Sequence, residues 1–118
     1  MKKEQLTLEQ ALKKAVESHQ SGLLKDAETL YKQVLKAMPD NLDALHLLGI
    51  LLFQKGDFDS AEKHIGKAIF HNPKFAEAHN NLGIALRAQG KFDKAIDSYR
   101  KAIEFKVNYA DAHNNLGI

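Results

Sequence analysis

The chain has 118 residues, of which 44% are hydrophobic, and a formal net charge of +2 at pH 7. This nearly balanced charge gives no basis for a basic nucleic-acid surface, and we expect no nucleic-acid partner. The absence of cysteine excludes disulfides and thiol chemistry. No apolar run reaches the roughly 18 residues of a membrane span, so we expect no membrane association. Residues 1–10 lack the apolar stretch of a secretion signal, which favours a cytoplasmic location.

The sequence divides into three helix–turn–helix units and the start of a fourth, which together form one predicted domain over residues 1–118. The units cover residues 8–41, 42–75, 76–109 and, in part, 110–118. The segment Thr7-Leu8-Glu9-Gln10 fits a capping box before the first helix. Glycines that suit a helix end with positive φ separate the two helices of each unit, at Gly22, Gly56 and Gly90. Prolines close the first two units, at Pro39 and Pro73, where a helix cannot continue.

The units repeat with a fixed period. Residues 76–84 read AEAHNNLGI, and residues 110–118, which start 34 positions later (110 − 76), read ADAHNNLGI. A period of this length is typical of stacked helical units that present a long interaction surface. Gly49 and Gly83 recur inside the first helices, and we expect them to allow close approach of Ala61 and Ala95 on the paired helices.

These motifs resemble the tetratricopeptide repeat (TPR) family. The Leu-Gly pair of the family matches Leu48-Gly49, Leu82-Gly83 and Leu116-Gly117, and its alanine matches Ala27, Ala61 and Ala95. The position of its large aromatic residue holds Leu45, His79 and His113 instead. The resemblance implies an all-α, right-handed solenoid of antiparallel helix pairs, whose concave groove binds a protein or an extended peptide.

The resemblance also places the first helix of each unit along this groove. Carried over by phase, the predicted groove residues are His46, Ile50, Phe53, Asn80, Asn81, Ile84, Arg87, Asn114 and Asn115. Asn81 and Asn115 resemble the asparagine ladder of O-linked N-acetylglucosamine transferases, and a carboxamide can both donate to and accept from a peptide backbone. Two other roles stay open for these asparagines, as ordinary surface residues or as links between neighbouring units. The lysine that chaperone-binding members use is absent, which disfavours chaperone tails as partners.

We expect no catalytic residue, cofactor or metal in this segment. His79 and His113 occupy equivalent places, but two histidines do not complete a zinc site, and we expect them to fill the large aromatic position. No nucleophile elbow or phosphate-binding loop is present in the sequence. A binding scaffold is the favoured interpretation. The alternatives are the substrate-recruiting arm of a larger glycosyltransferase-like enzyme and a self-association module acting through an uncapped carboxy-terminal end.

Overall fold

A computed structural model of the chain describes residues 6–117, which form seven α-helices. Met1–Gln5 and Ile118, which the predicted domain and its partial fourth unit include, lie outside the described residues. The helices are α1 (Leu8–Gln20), α2 (Leu24–Ala37), α3 (Leu42–Gln54), α4 (Phe58–His71), α5 (Ala76–Ala88), α6 (Phe92–Phe105) and α7 (Ala110–Leu116).

Local signals in the sequence set the helix ends. The predicted capping box is present. The backbone N–H of Gln10 donates to Thr7 Oγ1 over 3.1 Å, and the backbone N–H of Thr7 donates to Gln10 Oε1 over 2.9 Å. The three turn glycines adopt positive φ as predicted, with values of 80°, 84° and 79° at Gly22, Gly56 and Gly90. These turns reverse the chain, so the two helices of each unit run antiparallel.

The helices stack in chain order into an elongated array with principal extents of 58 × 25 × 21 Å. Each helix packs against the helices before and after it, and the first helices of successive units (α1, α3, α5 and α7) also contact one another. The core is therefore a continuous spine through the array, and the first helices share one side of it. The predicted all-α solenoid of antiparallel helix pairs is confirmed.

Small residues inside the helices make room for one larger side chain in each unit. A Cβ atom added at Gly83 would lie 2.5 Å from Cε1 of Tyr99, and one added at Gly49 would collide with Cγ1 of Ile65. The predicted close approach is thus present, and at Gly49 the expected neighbour is also found, since the added Cβ would lie 3.3 Å from the Ala61 carbonyl oxygen. At Gly83 the neighbour is the Tyr99 ring and not Ala95, because Tyr99 stands one helical turn after that alanine and projects towards α5.

Gly117 behaves differently from the two glycines that share its place in the repeat. It has φ of 86° and ends α7 as a left-handed C-cap, whereas Gly49 and Gly83 lie inside helices.

Candidate functional site

The shared side of the first helices carries two adjoining cavities. The larger, of about 560 Å³, is lined by His46, Glu77, Asn80, Asn81, Ile84, Tyr109, Asp111, Asn114 and Asn115. The smaller, of about 180 Å³, is lined by Ile50, Phe53, Gln54, Ile65, Asn81 and Ile84. Because Asn81 and Ile84 belong to both linings, the two cavities form one groove, which we call the first-helix groove.

The structure places all but one of the predicted groove residues in these linings. The exception is Arg87, which is exposed and lines neither cavity. Five lining residues lie outside that predicted set: Gln54, Ile65, Glu77, Tyr109 and Asp111. Ile65 and Tyr109 lie outside the first helices on which the prediction was based, and only the repeat phase of Tyr109, 34 positions after Phe75 (109 − 75), could have indicated it.

Two amide hydrogen bonds join neighbouring units across the floor of the groove. The Asn81 Nδ2–H group donates to His46 Nε2 over 2.8 Å, and the Asn115 Nδ2–H group donates to Asn80 Oδ1 over 3.0 Å. Both bonds span 35 residues, so they are the same contact in successive units. Of the roles left open above, the link between neighbouring units is therefore present at Asn81 and Asn115.

Each of these bonds uses one N–H group and leaves the side-chain carbonyl oxygen unoccupied. Among the described residues, neither Asn81 Oδ1 nor Asn115 Oδ1 has a hydrogen-bond partner, and neither oxygen is a buried unpaired atom. Asn80, by contrast, is only 3% exposed and acts as a fixed acceptor for Asn115. Asn81 and Asn115 thus each present an accessible acceptor oxygen. The hydrogen bond to a buried neighbour holds each amide group in its orientation.

His46 takes part in this network as a neutral acceptor. Burial lowers its pKa, while the nearby Glu77 and Asp43 carboxylates partly oppose that shift. The edge of its ring packs against the Phe75 ring, with centroids 4.6 Å apart. A protonated imidazole would have no lone pair at Nε2, so the low pKa matches the bond that Asn81 donates.

One edge of the larger cavity is acidic. Glu77 and Asp111 line it, and the pKa of Glu77 is lowered by its own backbone N–H and by the Lys106 ammonium, which lies 3.0 Å from Glu77 Oε1. The same ammonium sits 4.6 Å from the centre of the Tyr109 ring. Burial raises the pKa of Tyr109, with the Glu77 and Asp111 charges acting in the same direction. The phenol therefore stays neutral while the carboxylate of Glu77 is ionised at neutral pH.

In the first unit, a chain of side-chain hydrogen bonds occupies the corresponding part of the groove. The Tyr31 hydroxyl donates to His19 Nδ1 over 2.9 Å, and His19 Nε2–H donates to Gln54 Oε1 over 2.7 Å. These roles follow because an amide oxygen can only accept. Burial raises the pKa of Tyr31 to about 12, which keeps its proton in place.

The two equivalent histidines are bound within the turns between units. His79 Nε2–H donates to the Pro73 carbonyl over 2.7 Å, and His113 Nε2–H donates to the Val107 carbonyl over 2.9 Å. His79 also packs against the Phe105 ring. Within residues 6–117, no group of three His, Asp or Glu side chains is arranged to hold a metal ion. None of the seven described helices combines the length and the apolar character that crossing a bilayer requires.

Comparison with known proteins agrees with this architecture. The family profile described as "Tetratricopeptide repeat" matches residues 12–63 and 46–113. The solved O-GlcNAc transferase of Thermobaculum terrenum is 35% identical over 92% of this chain, with a TM-score of 0.89. MamA is 28% identical over 94% of the chain, also with a TM-score of 0.89. The first TPR of Spaghetti, bound to the HSP90 peptide SRMEEVD, is 24% identical over 90% of the chain, with a TM-score of 0.87, and shows likeness of fold alone.

These relatives differ in how much of their length the chain covers. It spans 21% of the transferase, 65% of MamA and 84% of the Spaghetti domain. No curated protein matches the chain. The family profile covers most of the sequence, and the solved structures share its stacked helix pairs, a fold that generally serves as a scaffold for protein interactions. The chain therefore belongs to the tetratricopeptide repeat family.

Proposed function

We propose that the first-helix groove binds an extended peptide segment of a partner protein, and that Asn81 Oδ1 and Asn115 Oδ1 accept hydrogen bonds from its backbone. The observation that carries this proposal is the pair of equivalent inter-unit amide bonds. They hold two accessible acceptors one repeat apart on the floor of a continuous groove. Backbone N–H groups recur along any extended segment, so this arrangement gives a grip that tolerates different sequences.

Preorganisation of the two amides favours binding. Ordering a flexible side chain on association costs about 0.5–1.5 kcal/mol. Here the bonds to His46 and Asn80 already fix the two amide groups in the free protein. Their acceptors are therefore available with little further loss of side-chain entropy.

The charge of the groove favours a neutral or basic segment over an acidic one. Glu77 and Asp111 line the larger cavity, and since Lys106 pairs with Glu77, the uncompensated charge there is that of Asp111, while Arg87 lies outside both linings. The HSP90 peptide bound by the Spaghetti domain contains three acidic residues, SRMEEVD. A tail of that kind would bring carboxylates towards Asp111, which like-charge repulsion opposes.

Alanine substitution tests the proposed grip. Asn81→Ala combined with Asn115→Ala removes both acceptors, and at about 0.5–1.5 kcal/mol for each bond we expect peptide affinity to fall roughly 5- to 150-fold. Binding is measured by fluorescence anisotropy on pools of a positional peptide library. Asn108→Ala, in the exposed turn before α7, is the matched control and should bind as the unaltered protein does.

The double variant also removes two inter-unit bonds, so its fold needs a separate check. Asn114 lines the cavity and is exposed, so Asn114→Ala alters the groove with less effect on packing. Thermal melts followed by circular dichroism report whether each variant stays folded at the binding temperature. Equal binding by the folded double variant and the control would contradict the proposed grip.

A second candidate function is recruitment of substrates for a glycosyltransferase within the same polypeptide. The supporting observation is the 35% identity to a transferase of which this chain spans 21%. If this second function is correct, an antibody raised against residues 6–117 should detect a polypeptide far larger than the 13.2 kDa of this chain. A native species near that mass would contradict it.

Self-association through the uncapped carboxy-terminal end stays a further proposal, and two exposed residues of α6 offer a surface near that end. Phe92 and Ile96, one turn apart on α6, are 62% and 36% exposed. Light scattering across a concentration series should show growth in mean mass, and Phe92→Ser should reduce it. A strict monomer at the highest concentration would rule this surface out as a self-association site.

A further inference from the structure

The smaller cavity of the groove arises from one side-chain difference between the units. Tyr31, Ile65 and Tyr99 hold the same position of the repeat, 34 residues apart (65 − 31 and 99 − 65). In the first unit the Tyr31 ring fills this position, and its hydroxyl is bonded to His19. In the second unit Ile65 is shorter than a phenol ring, and the 180 Å³ cavity lies beside it.

The residue that follows the pattern of His19 does not close this space. Phe53 stands 34 positions after His19 (53 − 19), and its ring packs against Phe58 with centroids 5.1 Å apart. It cannot form the hydrogen bond with which His19 links Tyr31 to Gln54. Four apolar residues therefore line the cavity, Ile50, Phe53, Ile65 and Ile84, and the polar groups on its lining are the amides of Gln54 and Asn81.

We propose that this cavity is a specificity pocket that takes one aliphatic side chain of the bound segment. The inference rests on the proposed function, because Asn81 lies in the linings of both cavities. Its side-chain oxygen, the proposed acceptor for a peptide N–H group, therefore lies beside the pocket. The residue whose N–H reaches Asn81 Oδ1 buries its side chain among Ile50, Ile65 and Ile84. Neighbouring side chains of an extended segment point to opposite sides, so the pocket selects one residue and not a run.

Charge complementarity indicates what flanks the aliphatic residue. The larger cavity begins at the same Asn81 and carries two carboxylates, of which Glu77 is paired with Lys106 and Asp111 has no ion-pair partner among the described residues. A lysine or arginine two positions from the aliphatic residue, on the side of α7, points to the same face of the extended segment and places its charge close to the Asp111 carboxylate. The occupant is thus a segment of a partner protein with one aliphatic residue and a basic residue two positions away.

The first experiment asks which residues the groove selects. A positional library of extended peptides is bound to the protein, and enrichment of Leu, Ile, Val or Met at one position, with Lys or Arg two positions away, is the expected result. Binding of many pools without an aliphatic preference would overturn the pocket and leave the backbone grip standing. If no pool binds, both proposals fail.

The second experiment fills the pocket. Ile65→Phe places an aromatic ring where the neighbouring units accommodate tyrosine beside Ala15 and Gly83, so the variant should fold. For the selected peptide, changing its aliphatic residue to alanine should weaken binding to the unaltered protein roughly 10- to 100-fold. In Ile65→Phe the same peptide change should have almost no effect. The control variant Ile69→Val, on the same helix but outside the pocket lining, should retain the full difference in affinity between the selected peptide and its alanine version.

A third experiment uses NMR spectra of the unaltered protein, so its result does not depend on how well a variant folds. In isoleucine-methyl NMR spectra of the unaltered protein, the selected peptide should shift the signals of Ile50, Ile65 and Ile84 more than those of Ile69 and Ile103. The peptide with alanine at the aliphatic position should leave the three pocket signals near their free positions. Two results would overturn the proposed pocket. One is an affinity ratio of the two peptides that stays unchanged in folded Ile65→Phe, and the other is equal signal shifts at all five isoleucines.

Discussion

The first and third units place different side chains at equivalent positions. On the groove floor the first interface holds Leu12 and Leu47, which pack against the main core cluster, where the third holds the hydrogen-bonded pair Asn80 and Asn115. Behind the floor, Tyr31 is bonded to His19, whereas the Tyr99 hydroxyl is the one buried side-chain polar atom without a partner among the described residues.

This difference indicates where the array favours stability and where it favours recognition. Apolar contacts such as those of Leu12 and Leu47 with the core cluster contribute to stability through burial but offer a peptide no directed contact. The asparagine pair buries less apolar surface and presents an acceptor to the groove. The following predictions test this contrast between the units.

The largest expected effect concerns the glycine beside Tyr99. Gly83→Ala places a Cβ atom within 2.9 Å of three ring atoms of a fully buried tyrosine. Overpacking of this kind costs about 1–3 kcal/mol, and the better helix propensity of alanine returns up to about 1 kcal/mol. We expect a net loss of stability in chemical denaturation.

Gly66→Ala is the matched control for that variant. Gly66 also lies inside a helix, and a Cβ atom there would meet nothing within 4 Å. It should gain about 0.5–1 kcal/mol from helix propensity alone. If Gly83→Ala gains a similar free energy of unfolding, the Tyr99 ring moves aside freely. The Tyr31 ring of the first unit already packs in the same cluster as an alanine, Ala15.

The second prediction compares the two buried phenols. Tyr31→Phe removes the hydrogen bond to His19 and should cost about 0.5–1.5 kcal/mol. Tyr99→Phe removes a hydroxyl that has no partner, so its melting temperature should stay unchanged or rise. Equal losses in the two variants would mean that Tyr99 forms a bond of similar value in solution.

The smallest expected effect is the pH dependence that arises from His46. Because burial lowers its pKa, the folded state favours the neutral ring, and stability falls as pH drops below the ordinary histidine value of 6.5. Measured between pH 6.5 and the ordinary glutamate value of 4.5, the slope should be shallower in His46→Asn, which copies the third unit. An identical slope in both proteins would exclude a contribution from His46.

Regular features of the fold could be predicted from the sequence because single residues impose them locally. Gly22, Gly56 and Gly90 adopt the positive φ that their spacing indicated. The partner of Gly83 could not be predicted, since the direction of the Tyr99 side chain depends on packing between two helices. Similarly, repeat phase placed Asn81 on the groove but could not show that His46 already occupies one of its N–H groups.

The neighbour-only stacking of the helices has a consequence for folding cooperativity. Within residues 6–117, no helix contacts a helix beyond the adjoining unit. Opening one interface therefore separates the array into two parts that no other contact joins, and partial unfolding does not require global unfolding. A segment laid along α3, α5 and α7 would add a contact that crosses these interfaces. Amide hydrogen exchange should then slow in helices that the ligand never touches.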